Sequence, residues 1–203
     1  MEREAELRRA DLASDPLEQF RSWFSAATAA VEVPEAMALA TATPGGAPSM
    51  RMVLLKGFDD DGLVFYSHRT SRKGQELDAN PQAALLFHWS PLGRQVRVEG
   101  SVERVSDAES DAYFATRPRD AQLGAHASRQ SEPLASRAEL DARLAEVQAE
   151  FDDGPVPRPP TWGGFRLVPH AWEFWQHRAS RLHDRFRYER EPSGSWRVER
   201  LFP

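Results

Sequence analysis

Cationic and hydroxyl side chains gather in residues 49–74, SMRMVLLKGFDDDGLVFYSHRTSRKG. Two apolar, β-prone segments, residues 52–55 and 63–66, flank the acidic sequence 59–62, whose Asp and Gly residues favour a tight turn. The polar side chains at the edges of this predicted hairpin are Arg51, Lys56, Tyr66, Ser67, Ser71, Arg72 and Lys73. Guanidinium and ammonium groups form strong charge-assisted hydrogen bonds with phosphate. The stretch therefore predicts a phosphate site, with a plain solvated hairpin edge as the alternative.

The lysines of the chain fall in this same stretch. Lys56 and Lys73 are the only lysines among 26 basic residues, a distribution that either marks a site or arises by chance in an Arg-rich chain. Strict alternation along a strand would put Arg51 and Lys56 on opposite faces. Either a bulge lies between them or the two side chains contact different ligands.

A second polar cluster occupies residues 175–185, WQHRASRLHDR. An Arg side chain can lie on an aromatic ring and a His can transfer protons near neutral pH, so the cluster suits a flat, charged heteroaromatic ligand. The alternative is a charged loop capped by Asp184. Smaller polar groups are Tyr113, Arg117 and Arg119 at a predicted helix end, and Arg129, Gln130 and Ser131 in a predicted loop.

Composition and motifs argue against several classes of function. The 203 residues carry a net charge of -5 with a pI near 5.7, so overall charge does not favour nucleic-acid binding. The sequence has no cysteine, and its six histidines lack metal-ligand spacing, so we expect no metal site. Glycine-rich nucleotide motifs, a nucleophile elbow and HExxH are absent. Without a signal peptide or membrane-spanning run, the sequence predicts a cytoplasmic protein.

Helical and strand patterns alternate along the chain. Asp15 and Glu18 form a capping box before apolar residues at helical spacing, which predicts an amphipathic helix ending before Pro34. Further helices are predicted at 71–79, 106–117 and 136–151, and further strands at 36–43, 83–89, 94–105, 164–168, 172–175, 185–190 and 195–201. Gly100 marks a possible bulge. About six or seven antiparallel strands with inserted helices predict an α+β fold around a β-barrel. Residues 1–13 are expected to be a mobile tail and 14–203 a single domain.

Eight short motifs occur in one order: RMVLLK at 51–56, SRK at 71–73, RQV at 94–96, RPRD at 117–120, RQS at 129–131, WGGFR at 162–166, EFWQ at 173–176 and RLHDR at 181–185. Together they resemble the pyridoxine/pyridoxamine 5'-phosphate oxidases, flavoenzymes with the FMN-binding split-barrel fold. The resemblance spans residues 11–203. It implies an antiparallel split β-barrel with surrounding helices, bound FMN, and a homodimer in which two subunits build each flavin site.

The resemblance also implies roles for individual residues. FMN would contact Arg51, Met52, Val53, Leu54, Leu55, Lys56, Tyr66, Ser67, Arg72, Lys73, Gln95, Gln130, Ser131, Trp175 and Arg185. The substrate phosphate would contact Lys56, Tyr113 and Arg117. Arg181 and His183 would approach the pyridine ring as the catalytic residues. Under this interpretation Arg51 and Lys56 contact different phosphates, which accounts for their alternation.

The implied activity is oxidation of pyridoxamine 5'-phosphate and pyridoxine 5'-phosphate to pyridoxal 5'-phosphate, with O2 as acceptor and H2O2 as product. Two alternatives remain open. The chain could be a related flavin oxidase of secondary metabolism, for example in phenazine formation, or a flavin- or pyridoxal-phosphate-binding carrier without turnover.

Three residues depart from the family pattern. Ala121 stands where a Ser usually holds the substrate phosphate, His126 replaces a usual Trp, and His177 replaces a usual Gly. A missing hydrogen bond to a charged group corresponds to roughly 1.5 to 3 kcal/mol. We expect these changes to affect the identity of the substrate more than FMN binding.

Overall fold

The structure, a computed structural model, describes residues 6–203. Its helices are α1 (Pro16–Ala30), α2 (Arg72–Ala79), α3 (Asp107–Ala115), α4 (Arg119–Ala127) and α5 (Arg137–Phe151). Its strands are β1 (Ala36–Ala42), β2 (Pro48–Leu54), β3 (Gly57–Asp59), β4 (Gly62–His68), β5 (Gln82–Trp89), β6 (Arg94–Arg104), β7 (Trp162–Gln176), β8 (Asp184–Arg190) and β9 (Trp196–Arg200). Within the described range, no helix combines the length and apolar character that crossing a bilayer requires.

One antiparallel sheet contains all nine strands, in the order β2-β1-β5-β6-β7-β4-β3, with β8 pairing to β7 and β9 to β8. The long strand β7 pairs with β6 through residues 165–176, with β4 through 162–167 and with β8 through 171–176. The β6–β7 register shifts between Glu99 and Gly100, opposite Pro169 and Ala171. A bulge bends a strand and increases its twist, so the two halves of β7 face different partners and the sheet curls. The predicted α+β fold is confirmed, and the register does shift at Gly100, although the extra residue, His170, lies on β7.

Helix α1 fills the interior of the curled sheet. Asp15 is its N-cap, as predicted, because the Asp15 carboxylate accepts a hydrogen bond from the Leu17 N–H at 2.7 Å. The fully buried Phe20 ring lies 5.1 Å from Phe87 of β5 and 5.4 Å from Trp172 of β7, centroid to centroid. Burying an aromatic side chain contributes roughly 1.5 to 3 kcal/mol, so this helix holds both halves of the sheet together.

The predicted pairing of residues 52–55 with 63–66 is wrong. β2 pairs with β1, and the acidic turn joins β3 to β4 instead. The chain changes partners over two residues: the Leu55 N–H donates to the Glu35 carbonyl at 2.9 Å, and the Lys56 N–H donates to the Val64 carbonyl at 2.8 Å. The apolar pattern predicted the strands but could not identify their neighbours, because alternation is the same for any partner. Lys56 lies outside β2, so the expected alternation with Arg51 does not apply.

Two further elements differ from the prediction. β7 is continuous where two strands were predicted, because Pro169 lies at the bulge, a position that tolerates proline. Helix α4 was not predicted. Its N-cap is Pro118, which makes no side-chain capping bond, so the usual start signal of a helix is missing.

Helices α3, α4 and α5 pack around a second, smaller hydrophobic cluster formed by Phe114, Leu123, Ala125, Val156 and Trp162. Trp162 is the first residue of β7. The cluster therefore fixes α3 and α4 beside β4 and β7, where they form the wall of the cleft described below.

The described part of the N-terminal segment, residues 6–13, lies against the barrel. Leu7 is buried and its N–H donates to the Asp184 carboxylate at 3.2 Å, while the Tyr188 hydroxyl donates to the Ala13 carbonyl at 2.8 Å. Part of the predicted mobile tail, residues 1–5, lies outside the described residues. The mobility of the tail and the domain limits stay predictions.

Candidate active site

A cleft of about 840 Å³ opens between β2, β4, α3 and α4. Of the residues proposed from the sequence, it brings together Arg51, Met52, Val53, Leu54, Lys56, Tyr66, Ser67, Lys73, Tyr113, Arg117 and Gln130. We call this cleft, lined by these residues, the anion cleft. Among residues 6–203, no group of three or more His, Asp or Glu side chains is arranged to hold a metal ion.

Lys73 is a buried cation of the anion cleft, only 7% exposed. Its ammonium donates to Gln130 Oε1 at 2.7 Å, to Ser67 Oγ at 3.1 Å and to Ser71 Oγ at 3.3 Å. These acceptors are neutral, and no carboxylate of the described chain forms an ion pair with Lys73. Burial, followed by repulsion from Arg51, lowers the pKa of Lys73 to about 8. A buried charge without an opposite charge is unfavourable, so this position favours a bound anion.

Stacked aromatic rings and a guanidinium form another part of the cleft. The Tyr66 and Tyr113 ring centroids are 4.0 Å apart, and the Trp162 ring lies 5.3 Å from Tyr66. Gly164 permits this packing, because a Cβ there would lie 2.7 Å from the Tyr66 ring. The Arg117 guanidinium carbon lies 4.8 Å from the Trp162 ring. Its buried Nη1 has no hydrogen-bond partner among the described residues, which leaves a directed donor for an anion.

The phenols of the stack remain uncharged donors near neutral pH. Burial, reinforced by Glu109 and Tyr113, raises the pKa of Tyr66 to about 12. Burial likewise raises the pKa of Tyr113. Each hydroxyl can therefore donate a hydrogen bond to a phosphate oxygen.

Glu76, which the sequence analysis did not single out, holds two of the predicted cations. Its carboxylate lies 3.3 Å from Arg51 Nη2 and 2.9 Å from Arg72 Nε, and it accepts hydrogen bonds from the Thr41 and Ser49 hydroxyls. Burial alone would raise the pKa of Glu76, but the two hydroxyls and two guanidinium groups outweigh it and lower the pKa to about 2. Arg51 therefore lines the cleft with an internal partner, and the exposed Arg72 lies outside the lining.

His68 is a cleft residue that the sequence analysis missed. It is 6% exposed and ends β4, directly after Tyr66 and Ser67. Burial, and then the charges of Lys73 and Arg117, lower the pKa of His68. The imidazole is therefore neutral at pH 7. Its only signal in the sequence is its place at a strand end beside two proposed ligands.

Three of the proposed FMN contacts lie elsewhere, as cross-strand neighbours on β6, β7 and β8: Gln95 faces Trp175, and Trp175 faces Arg185. They line a separate pocket of about 200 Å³ together with Arg97, Glu173 and Pro203. We call the set of Gln95, Arg97, Glu173, Trp175 and Arg185 the strand-end platform. A single chain does not bring this platform into the anion cleft.

Glu173 compensates part of the positive charge of the strand-end platform. Its buried carboxylate accepts hydrogen bonds from Arg185 Nε at 2.8 Å, from Arg185 Nη2 at 3.1 Å, and from Arg97. Burial would raise the pKa of Glu173, but the bonds from Arg185 and Arg97 outweigh it and lower the pKa. Charge-assisted bonds of this kind fix the plane of a guanidinium, so Arg185 is oriented by Glu173.

The proposed catalytic residues lie in the loop between β7 and β8, beside the platform. Arg181 ends the 3-10 turn Ala179–Arg181, where Ser180 and Arg181 adopt left-handed φ values of 57° and 63°. Arg181 is exposed. The His183 ring lies 4.5 Å from the Trp175 ring. The structure therefore places both residues with Trp175 and Arg185 rather than with Lys73.

Two proposed contacts and two departures remain. Leu55 is buried in the main core, and Ser131, with φ 77°, lies in a different small pocket between α4 and α5. Ala121 lines the anion cleft. His126 instead joins the small hydrophobic cluster, with Nε2 2.7 Å from the Pro157 carbonyl and its ring 4.8 Å from Phe151.

Comparison with known proteins gives consistent matches over most of the chain. The profile described as pyridoxamine 5'-phosphate oxidase matches residues 25–151, and that described as the pyridoxine 5'-phosphate oxidase C-terminal dimerisation region matches residues 162–203. A pyridoxine/pyridoxamine 5'-phosphate oxidase from Rubrobacter xylanophilus is 60% identical over 190 residues, 93% of this chain and 87% of that protein.

Solved structures match as well. PhzG from Burkholderia lata, in complex with tetrahydrophenazine-1-carboxylic acid, has a TM-score of 0.92 and 36% identity, covering 99% of this chain and 100% of that one. A pyridoxamine 5'-phosphate oxidase-related, FMN binding protein from Nostoc punctiforme has a TM-score of 0.75 at 18% identity, covering 95% of this chain and 100% of that one. The second likeness concerns the fold alone, and it confirms the predicted split barrel.

Proposed function

Because the chain belongs to the pyridoxamine 5'-phosphate oxidase family, we propose that it is an FMN-dependent oxidase of pyridoxamine 5'-phosphate and pyridoxine 5'-phosphate. The product is pyridoxal 5'-phosphate. Two electrons and two protons pass from the substrate to O2, giving H2O2. For the amine, the resulting imine is hydrolysed by water to the aldehyde and ammonia.

The observation that carries this proposal is the charge imbalance of the anion cleft. Lys73 is buried among neutral acceptors, and Arg117 has a buried Nη1 without a partner in the described chain. Two uncompensated cations in one cleft suit two anionic groups. FMN and a phosphorylated substrate supply one phosphate each.

The residues present fit FMN. Lys73, Ser67 and Gln130 would hold its phosphate, since they already form one hydrogen-bonded cluster. β2 is an edge strand, so its outer backbone groups at 52–54 are suited to the polar edge of a flat ring. The chemistry that FMN supplies when bound is acceptance of a hydride equivalent from the substrate carbon attached to the pyridine ring.

The substrate phosphate would bind Lys56, Tyr113 and Arg117, which line the same cleft. Arg181 would orient and polarise the pyridine ring, and His183 would assist proton movement. The chain's contribution is to position the reacting carbon and to compensate charge. We expect Arg181→Ala to lower turnover while FMN stays bound, as steady-state peroxide release would measure.

We further propose a homodimer in which the platform of one subunit completes the anion cleft of the other. Two observations support it. The matched dimerisation region covers residues 162–203, which include Trp175 and Arg185 of the platform. The edge strand β2 exposes an apolar row of Met50, Met52 and Leu54, and exposed apolar rows of this kind mark interfaces.

A second candidate is a flavin oxidase that acts on a reduced phenazine carboxylic acid. The match to PhzG, whose structure holds tetrahydrophenazine-1-carboxylic acid, supports it, as does Ala121 at the cleft. The two cations Lys56 and Arg117, with the neutral phenol of Tyr113, favour a phosphorylated substrate instead, because they match a doubly charged group.

The test is the visible spectrum of the purified protein with FMN, followed by anaerobic addition of pyridoxamine 5'-phosphate and then air. We expect the flavin band to bleach with substrate and to return with oxygen. A band that bleaches only with a reduced phenazine carboxylic acid would favour the second candidate. A band that responds to neither compound would support the carrier alternative, and a protein that binds no FMN would contradict both oxidase proposals.

A further inference from the structure

His177 packs against His183 at the end of the strand-end platform. The two ring centroids lie 5.3 Å apart, and the Trp175 ring lies 4.5 Å from His183 and 6.1 Å from His177. The His177 N–H donates to the Gly93 carbonyl at 2.7 Å, which fixes the start of the loop. Both imidazoles are half-buried. His183 therefore has an aromatic contact with Trp175 and a titratable neighbour in His177.

The hydrogen bonding of His183 selects one tautomer. The Arg178 N–H donates to His183 Nδ1 at 3.2 Å. A ring nitrogen that accepts a hydrogen bond carries no proton, so neutral His183 has its proton on Nε2. If Nδ1 were protonated, its N–H would face the Arg178 N–H. Two donors cannot bond to each other, so this hydrogen bond would be lost. The loop thus accommodates the neutral ring and disfavours the imidazolium.

The charges around His183 act in the same direction. Burial, followed by the positive charge or the capacity for it that His177 and Arg181 of the loop contribute, lowers the pKa of His183. The Asp184 carboxylate is already bonded to Arg200 at 2.6 Å and to the Leu7 N–H at 3.2 Å.

The remaining elements that pack here add little net charge. Arg178 of the loop lies 3.7 Å from the Asp184 carboxylate. On β8, Arg185 is paired with Glu173 of β7. β6 contributes neutral Gln95. Among these groups, His177 is the titratable one whose ring contacts His183 directly.

We propose that His177 is a positioning residue whose charge keeps His183 neutral, with its proton on Nε2, as the pH falls toward the usual range of histidine titration. A positive charge on one imidazole disfavours a proton on its neighbour, because like charges repel. Neutral His183 keeps the Arg178 bond and its packing on Trp175. The significance of His177 for catalysis rests on the function proposed above, whereas its effect on His183 does not.

The direct test is an NMR titration of His183 in the full chain without FMN or substrate, with His183→Gln identifying the resonance. His177→Phe keeps a ring against His183 and removes the charge. We expect the pKa of His183 to rise in this variant by about half a pH unit, the effect of a unit charge roughly 5 Å away in water-like surroundings. His170, an exposed histidine of β7, provides the control. His170→Gln should leave the pKa of His183 unchanged.

The second readout is the pH profile of kcat/KM in the holoenzyme. Its acidic limb should move to higher pH by the same amount in His177→Phe, with kcat at pH 8 retained. If the Phe variant does not fold, His177→Asn replaces it. An unchanged His183 pKa overturns the proposal. A raised His183 pKa in a protein without turnover supports it and contradicts the proposed function instead.

Discussion

The anion cleft and the strand-end platform both contain cations, but they differ in how those cations are compensated. In the cleft, buried Lys73 bonds only neutral acceptors and the Nη1 of Arg117 has no partner in the described chain. On the platform, Arg97 and Arg185 share the carboxylate of Glu173. Lys73 and Arg117 of the cleft therefore lack a carboxylate partner in the described chain, whereas both guanidinium groups of the platform already bond one.

This difference indicates different tasks for the two regions. A cleft with uncompensated cations gains most from a ligand that brings negative charge, which makes it suited to phosphate. A platform whose guanidinium groups already bond a carboxylate and are held in place is suited to the flat, uncharged part of a ligand. Because the two regions lie apart in one chain, a ligand with both parts favours the proposed dimer.

The largest expected effect is on the cleft. Lys73→Met removes the buried ammonium, so we expect FMN affinity to fall by about a hundredfold, the loss typical of removing one partner of a buried charge pair. The stability of the protein without FMN should not fall, because an uncompensated charge is removed as well. Fluorescence titration with FMN and urea unfolding measure the two effects. Arg137→Met on the exposed face of α5 is the control. Unaltered FMN binding by Lys73→Met would contradict the conclusion that the cleft needs the negative charge of a ligand.

Glu76 provides the contrasting case within the cleft, because its carboxylate pairs with Arg51. Glu76→Gln leaves two guanidinium groups without their carboxylate, so we expect the free energy of unfolding at pH 7 to fall by about 3 kcal/mol. The pKa of Glu76 is lowered to about 2 in the folded protein. Its contribution is therefore present above the unfolded value near 4.3 and lost as the pH falls toward 2.

Urea unfolding at several pH values checks this window. The difference between wild type and Glu76→Gln should narrow steadily below about pH 4.5. Asp141→Asn, which breaks an exposed ion pair with Arg137, is the matched control and should cost less than about 1 kcal/mol. A constant difference from pH 7 to pH 2.5 would show that the charge of Glu76 is not what stabilises the fold.

On the platform a smaller effect on FMN is expected. Glu173→Gln keeps a polar side chain between Arg97 and Arg185 but releases the fixed orientation of Arg185, so FMN affinity should fall by about tenfold. The same fluorescence titration measures it, with Glu99→Gln, a half-buried carboxylate of β6 that pairs with Arg187, as the control. A loss of FMN affinity greater than that caused by Lys73→Met would show that the platform contributes more to FMN binding than the cleft does.

The smallest effect concerns the substrate end of the cleft. Ala121→Ser adds a hydroxyl to the cleft lining, so we expect the KM for pyridoxamine 5'-phosphate to fall by about three- to tenfold. FMN affinity should stay the same. Steady-state peroxide release measures KM, and Ala112→Ser on the exposed face of α3 is the control. A change in FMN affinity with an unchanged KM would show that Ala121 contacts FMN rather than the substrate, which would contradict this prediction.

The sequence predicted the fold class and the capped helix α1 because capping and alternation are local signals. The pairing of β2 was not predictable from the same signals, since a strand's neighbour is decided by the whole sheet. Helix α4 lacks a capping side chain and was missed for that reason.

For the candidate site, residue type singled out Lys73 and Arg117, because cations near hydroxyls are recognisable in a sequence. Glu76 and Glu173 were missed, since a carboxylate that compensates a distant Arg has no local pattern. The separation of Trp175 and Arg185 from Lys73 also depends on tertiary structure. The motif resemblance assigned these residues to one ligand set. It gave no information about where they lie in a single chain.

The central claim is that the anion cleft binds the phosphate of FMN through Lys73. The most direct measurement compares the affinities of the wild-type protein for FMN and for riboflavin, which lacks the phosphate, from pH 6 to pH 10. We predict about a hundredfold preference for FMN at pH 7, declining above pH 8, where the free cleft loses the Lys73 proton. Equal affinities, or a preference that does not change with pH, would contradict the claim.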